Sequence, residues 1–318
     1  MLILTKKNID DNKLDLEKKS SFWQSVERIN IILKSGQAEK IFVLNNNLVV
    51  EKRRVALGEY GLFILGINSN FEINEKQLIA LVKQEKALFI QVEYISYNEN
   101  FEQIKLEKFS EEYYKKFITP YTAIINLENT EDEILVNMKP KGRYNIKLAK
   151  KKLIEVKEVE KTDENIKIYY DLMLETTSRD NFFGNNFDYY KTFLQENKNA
   201  YLLLAYKDEK AIAGGIFVDS GDTSIYYYGA STSDKKYRNL MAPYLVQWTA
   251  IEKSKASGKK IYDFLGIATP DEKNSDLAGV TDFKLKLTKN KVNVSKSFIY
   301  KNKKCKYFVI KMLKKLKK

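Results

Sequence analysis

The feature that most constrains this chain is a repeated order of elements. In the second half three apolar runs, Tyr201–Tyr206, Ala211–Asp219 and Thr223–Gly229, are separated by Asp208-Glu209-Lys210 and Ser220-Gly221-Asp222, the spacing of strands joined by tight turns. Helices over about 163–178 and 187–196 precede them, the first with Ile166, Tyr169 or Tyr170, and Met173 on one face. A longer helix over about 240–257 follows and stops at Gly258, and a strand over 260–264 closes the series. The first half has the same plan. Phe22, Val26, Ile29 and Leu33 share a helical face before Gly36; the runs Ile41–Leu44, Leu48–Leu57 and Gly61–Ile67 follow; Asn74 caps a helix through about residue 86; and Ala87–Ile95 reads as a buried strand. Tyr121–Leu127 is a further strand. Thr130 and Glu133 make a capping box, and Pro140 ends or interrupts the helix that it opens.

Helices, an antiparallel meander, a helix and one more strand form an α+β plan, and 318 residues suit two domains better than one core. The expected boundaries are 1–152, 153–290 and a basic tail, 291–318, packing back on the first domain. There is no histidine and one cysteine, Cys305. A Ser-His-Asp triad, a Cys-His pair, a His-ligated metal and an internal disulfide are therefore excluded, no metal site is expected, and the lone cysteine suits a reducing compartment. What chemistry remains must use Lys, Tyr, Asp, Glu, Arg and backbone groups, which suits a substrate that arrives already activated. The start of the chain lacks the apolar run of a signal peptide, and no window is apolar enough to span a bilayer. A cytoplasmic protein is expected.

The order of elements is that of an acyl-transferring fold of the GNAT type, with two tandem copies and mixed, mostly antiparallel sheets. In that fold the acyl donor lies where two strands splay apart. A CoA-dependent member needs a glycine-rich pyrophosphate loop before the long helix. Here Lys235-Lys236-Tyr237-Arg238-Asn239-Leu240-Met241-Ala242 has Met241 at the first glycine position. CoA is disfavoured, no cofactor is expected, and another activated donor is implied.

Two stretches carry candidate chemistry. In Tyr262-Asp263-Phe264-Leu265-Gly266-Ile267 a short apolar strand runs into a glycine, and after a loop of about a dozen residues the chain re-enters order at Phe283-Lys284. Strand ends place polar groups at a sheet rim, where ligands sit, so Lys284 reads as facing substrate. The alternative is a surface lysine on an edge strand. The run from Lys139 to Lys152 is basic with interleaved apolar residues. It is either a solvated helix face or a phosphate-facing helix, with Arg143 the best oxyanion ligand.

The chain resembles the FemABX-type aminoacyltransferases that build peptidoglycan interpeptide bridges. The resemblance rests on Phe22-Trp23-Gln24-Ser25, Pro120-Tyr121-Thr122-Ala123, the run from Met138 to Ile146, Thr176-Thr177-Ser178-Arg179-Asp180, Tyr226-Tyr227-Tyr228-Gly229-Ala230-Ser231, the run from Ala242 to Trp248, Tyr262–Ile267 and Phe283-Lys284. It implies two tandem GNAT-like domains and transfer of an amino acid from aminoacyl-tRNA to an amine on the stem peptide of a peptidoglycan precursor, either lipid II or its UDP-linked form. Lys284 then matches a cation that stabilises the oxyanion. Tyr226 and Tyr228 match positions lining the acceptor site, with Tyr244 joining them, although packing of a tyrosine-rich sheet explains them as well. Asp263 is a candidate proton or hydrogen-bond acceptor for the incoming amine, or an anchor of the strand–loop junction. Arg179 is a substrate-binding candidate that could instead pair with Asp180. Lys34 lies near a precursor-binding lysine of the family, with a slip of about two residues. Departures are Asn126-Leu127 where relatives show an acidic residue and leucine, Asn185-Asn186 where some place a basic residue, and Leu285-Lys286-Leu287 after Lys284.

Charge is concentrated at the end. The chain carries 55 basic and 42 acidic side chains, a formal net charge of +13. Fourteen of the lysines and none of the acids lie from Phe283 onward, leaving 41 basic against 42 acidic groups before it. Phe308, Met312, Leu313 and Leu316 share a helical face among lysines, so this tail is expected to lie on the anionic inner face of the plasma membrane, or to contact tRNA phosphates, or to pack back with its lysines solvated. Deleting the chain from about Lys301 is expected to spare the fold. The alternatives to bridge formation are a GNAT-like N-acyltransferase with another donor or acceptor and a non-catalytic basic RNA- or membrane-binding protein.

Overall fold

The structure, a computed structural model, describes residues 1–10, 21–45, 47–98, 101–270, 272 and 275–316. Contacts divide the chain into two units, Met1–Pro120 with Asn293–Lys318, and Tyr121–Val292. The break therefore falls at 120/121, not at 152/153, and residues 121–152 belong with the second unit.

The first unit begins with β1 (Leu2–Leu4), a 3-10 turn at Phe22–Gln24, α1 (Val26–Lys34), β2 (Lys40–Val43), β3 (Val49–Arg54), β4 (Tyr60–Asn68), α2 (Glu75–Gln84), β5 (Phe89–Ile95) and β6 (Ser110–Glu111). The second unit contains β7 (Tyr121–Asn126), α3 (Glu131–Asn137), α4 (Pro140–Lys151), β8 (Glu155–Val159), α5 (Asp163–Asp180), α6 (Phe187–Glu196), β9 (Ala200–Lys207), β10 (Lys210–Ser220), β11 (Thr223–Ser231), α7 (Lys235–Arg238), α8 (Ala242–Ala256), β12 (Ile261–Gly266), α9 (Ala278–Leu287) and β13 (Lys291–Asn293). The chain then returns to the first unit as β14 (Ser295–Lys301) and α10 (Lys304–Leu316).

Local signals set many of these boundaries. Ser25, Asn74, Thr162 and Asn186 cap α1, α2, α5 and α6 through their side chains. Thr130 and Glu133 form the expected capping box. Pro140, which cannot continue α3, becomes the first residue of α4, where its missing N–H costs nothing.

The sheets are β1-β2-β3-β4-β5-β14-β6 and β13-β7-β12-β11-β10-β9-β8. Each is mostly antiparallel and contains a parallel pair, β4–β5 in the first and β11–β12 in the second. Each parallel pair is linked through a long helix, α2 or α8, and its second strand is flanked by an antiparallel strand from a distant part of the chain, β14 beside β5 and β7 beside β12. The α+β class and the two tandem GNAT-like domains agree with the sequence; the strands that complete the sheets, β7 and β14, come from segments read there as part of the first domain and as the tail.

The tail requires the largest revision. β14 lies inside the first sheet with Ser297, Phe298 and Ile299 buried, and α10 buries Tyr307 and Ile310. The Tyr307 ring packs on Phe89 and Tyr114, and its hydroxyl donates to Glu112 at 2.9 Å. Glu59 pairs with Lys303 and Lys306, and Glu112 with Lys301 and Lys311. The segment is an integral part of the first unit, so its removal would expose a core. Of the expected apolar face, the side chain of Leu316 lies outside the described residues.

Candidate functional site

The second unit has an opening in its sheet. The parallel register of β11 on β12 covers only Thr223–Ile225 against Ile261–Asp263. Beyond it β11 follows β10 to Ser231, while β12 follows β7 with a register shift between Asp263 and Gly266. In the first unit the parallel pair runs on to Asn68 and Ile95 across its own shift. There Trp23 lies against Gly66 at the β4 bulge, and Gln24 bridges the backbone, donating to Leu65 O at 2.8 Å and accepting from Val49 N at 2.9 Å. The Phe22–Ser25 motif thus braces β3 and β4 in the first unit, where the parallel pair stays joined.

Lys284 stands at this opening. It lies on α9, not on a strand, and is only 6% exposed. Its Nζ donates to Gly266 O at 2.7 Å and to Leu265 O at 3.2 Å, at the free end of β12. Burial lowers its pKa to about 8, against the opposing pull of the Asp263 carboxylate. Leu265 has a left-handed backbone, φ 55°, held by Asp263, whose Oδ1 accepts from Leu265 N at 2.8 Å and from Thr122 Oγ1 at 2.5 Å. Asp263 is 2% exposed. It acts here as the anchor of the strand–loop junction and as the carboxylate that favours the Lys284 ammonium. The sequence motifs contain Thr122 and Leu265 but assign neither a role, since no residue-type signal announces the hydrogen bond of the one or the left-handed backbone of the other.

The basic run Lys139–Lys152 proves to be the scaffold of α9. A methyl group on Gly142 would sit 2.1 Å from the carbonyl oxygen of Lys286, so only glycine allows α4 this close to the α9 backbone. Lys139 N donates to the same oxygen at 3.1 Å. Arg143 is not poised for a phosphate: its Nη1 donates to Met138 O at 2.6 Å and to Leu135 O and Val136 O, satisfying the carbonyl end of α3. A lone glycine inside a helical pattern was the available clue to this close approach.

Tyr226 and Tyr228 do not line one site. The register of β11 on β10 shifts between Ile216 and Phe217, so Tyr226 opposes Phe217 and Tyr228 opposes Ile216, and the bulge turns their side chains to opposite faces. Tyr226 packs on Phe217 and Phe264, with its hydroxyl over Gly229. Tyr228 joins Tyr189, Tyr190 and Phe193 of α6, its hydroxyl 3.0 Å from that of Tyr189. Burial and the neighbouring tyrosines push the Tyr228 pKa well above its ordinary value, so it stays protonated. Tyr244, on α8, packs edge-on against Phe283, 5.0 Å between centroids, with its hydroxyl toward Asn145 and Lys286. It supports α9 from the neighbouring turn.

Arg179 is engaged in the structure of the second unit. It grips Asp180 through Nε and Nη2, while Nη1 donates to Ser231 O at 3.1 Å and to Thr232 O. Lys34 belongs to the first unit and pairs with Asp10 at 2.8 Å. A cavity of about 340 Å³ lies past the C-terminal end of α9, lined in part by Asn126, Asn129, Asn137 and Lys289, and Lys284 does not line it. Before α8, Met241 takes the left-handed conformation that a glycine would favour, and the amides of Leu240, Met241 and Tyr244 bond to nearby carbonyls within the segment. They are directed into the chain, whereas a pyrophosphate cradle needs amides pointing outward.

With this geometry in hand, comparison with known proteins decides the family. The model of the FemAB family matches residues 99–211 and again 203–315. The chain belongs to the FemAB family. Among curated relatives, the lipid II:glycine glycyltransferase of Staphylococcus epidermidis, in two strains, is 22% identical over 245 residues. That alignment takes in 57% of this FemAB chain and 58% of the relative, so the chain spans under two-thirds of the length of the curated relatives it matches. Among solved structures, FemX aligns with TM-score 0.73 at 17% identity over 98% of this chain and 100% of that one. L-PGS from Bacillus licheniformis aligns with TM-score 0.58 at 12% identity, over 96% and 98%. At these identities the likeness is one of fold. Among the described residues no helix of this FemAB protein is long and apolar enough to cross a membrane.

Proposed function

We propose that this FemAB protein transfers an amino acid from aminoacyl-tRNA to an amine on the stem peptide of a peptidoglycan precursor, extending an interpeptide bridge. The observation that carries this reading is the buried Lys284 ammonium at the open end of the β11–β12 pair. Membership of the FemAB family and the likeness to the S. epidermidis lipid II:glycine glycyltransferase support this substrate class.

The ester of a charged tRNA is already activated. The neutral acceptor amine attacks its carbonyl carbon, the new N–C bond forms, the C–O bond to the ribose breaks, and a proton passes from the amine to the departing ribose oxygen. Negative charge develops on the carbonyl oxygen between those events. An ammonium has three N–H donors, and the Lys284 bonds to Leu265 O and Gly266 O use two. The third is available to the oxyanion, a stabilisation worth ~3–4 kcal/mol for a preorganised donor. The reaction needs no metal, histidine or CoA. Its partners are charged tRNA and a lipid II or UDP-linked precursor, and its place is the cytoplasm, peripherally at the inner face of the plasma membrane for a lipid-linked acceptor.

The test is transfer of a labelled amino acid from a panel of charged tRNAs to lipid II and to the UDP-linked precursor. Transfer to one of these acceptors that is lost in Lys284→Met is expected. No transfer from any charged tRNA, or full activity in the variant, would overturn the reading.

A further inference from the structure

Helix α10 has two apolar faces, and the first unit covers only one. Tyr307 and Ile310 are buried in it at 0% and 1% exposure. On the other side Phe308, Val309, Met312 and Leu313 are exposed at 55%, 50%, 58% and 39%. These positions, at i, i+1, i+4 and i+5, form one stripe along the helix. We propose that this second face docks the protein on the surface of an anionic lipid bilayer, with the helix lying in the interface plane.

Three observations select that occupant. The helix cannot swing away as a free tail, because Glu59 and Glu112 pair with Lys306 and Lys311 on its inner side and with Lys301 and Lys303 just before it, and Tyr307 is packed on Phe89 and Tyr114. The stripe is therefore presented on a fixed platform. The charge carried by this part of the chain is of one sign: Lys304 is exposed one turn before Phe308, and from Phe283 onward the sequence holds fourteen lysines and no acidic residue. That suits anionic headgroups and repels a second copy of the same face. The area is also small. Four half-exposed side chains offer roughly 400 Å², about half of the ~800 Å² that each partner buries in a stable protein interface. A bilayer needs no such minimum, since apolar insertion and headgroup attraction act together.

The experiment uses the full chain and its single cysteine, Cys305, which is exposed on the first turn of α10. A polarity-sensitive fluorophore on Cys305 is titrated with phosphatidylcholine vesicles containing about one-third phosphatidylglycerol, and with phosphatidylcholine alone. A blue shift on the anionic vesicles is expected, with at least roughly tenfold weaker binding to neutral ones and loss of binding at high salt. Val309→Ser with Met312→Ser changes only exposed side chains and should weaken co-sedimentation with anionic vesicles by roughly tenfold while its melting curve stays unchanged. Equal co-sedimentation of this variant and the unmodified chain would overturn the proposal, as would absence of binding to anionic vesicles. A blue shift that appears without lipid and grows with protein concentration would overturn it in favour of a second copy.

Discussion

Replacing Lys284 with methionine separates the electrostatic cost of this side chain from its chemical use. In the fold its pKa is about 8, against an ordinary 10.5, because its charge is buried. The unfolded chain therefore binds the proton more tightly than the folded one. Stability should rise with pH between about 8 and 10.5, and the penalty for carrying the buried charge should be fully present below pH 8. That gap corresponds to ~3 kcal/mol. Methionine removes the penalty but leaves Leu265 O and Gly266 O without their donor, a loss of ~1–3 kcal/mol. Near pH 7 the two effects nearly cancel, and the variant should melt within a few degrees of the parent. Urea unfolding at a series of pH values should then show the parent gaining up to ~3 kcal/mol on the variant by pH 10.5. In single-turnover transfer the variant should be slower by ~10²–10³ at pH 7, and the parent should lose rate as pH rises through about 8, where the ammonium deprotonates. A stability difference that stays flat from pH 7 to 10.5 would show that Lys284 is not desolvated, and the argument for a preorganised cation would fail with it.

Gly142→Ala should cost ~1–3 kcal/mol, since the new methyl meets a backbone oxygen that cannot rotate away. It should also slow transfer more than its stability loss explains, because α9 and Lys284 shift with it; a melting temperature equal to the parent's would refute the close approach. Glu93, fully buried in the first unit, has its pKa raised to about 8 by burial, despite accepting from Ile118 N and Phe117 N. The folded chain holds that proton more tightly than the unfolded one, so parent stability should fall as pH rises from 4.5 towards 8. Glu93→Gln should flatten this dependence in calorimetric scans, and an unchanged pH profile would contradict the assignment. Ending the chain after Asn302 removes Tyr307 and Ile310 from the core and should cost at least ~5 kcal/mol, read as loss of the first unit's cooperative unfolding; a truncated chain that melts like the parent would restore the view of the tail as an appendage.

Periodicity and punctuation reveal much of this fold. Apolar runs of strand length, the Thr130–Glu133 capping box, Gly36 and Gly258 past helix ends, and Pro140 at a helix start all act locally, so they can be read locally. Charge misleads where side chains are long. Ser297, Phe298 and Ile299 are core residues of β14, yet the surrounding lysines make the segment read as a solvated tail, because a lysine can lie along a surface with its amine in water or on a carboxylate. Arg143 is similar: its charge suggests a phosphate, but its partners are carbonyls at the end of α3, visible only once the break at Met138 places that helix end beside it. Tyr226 and Tyr228 obey strand alternation on paper; one extra residue in β11 reverses it, and no propensity marks the bulge.

The two sheets differ at the place where the proposed chemistry sits. Both are built on one order, with a parallel pair at the centre. In GNAT-like folds a parallel pair that parts exposes backbone groups in the middle of a sheet, and buried backbone groups must find partners. In the first unit the pair holds together to Asn68 and Ile95, and Gln24 joins β3 to β4 beside Gly66, against which the Trp23 indole lies. In the second, a lysine amine satisfies the carbonyls of Leu265 and Gly266 and retains a third N–H. A glutamine amide in that position would be neutral and confined to its two fixed donors. An ammonium gives the same structural service and adds a charge, whose cost in the low-dielectric interior is the measure of how strongly it can act on an oxyanion. The lowered pKa of Lys284 and its proposed use in transfer are thus one property: the desolvation that disfavours the cation at rest is relieved when negative charge appears beside it.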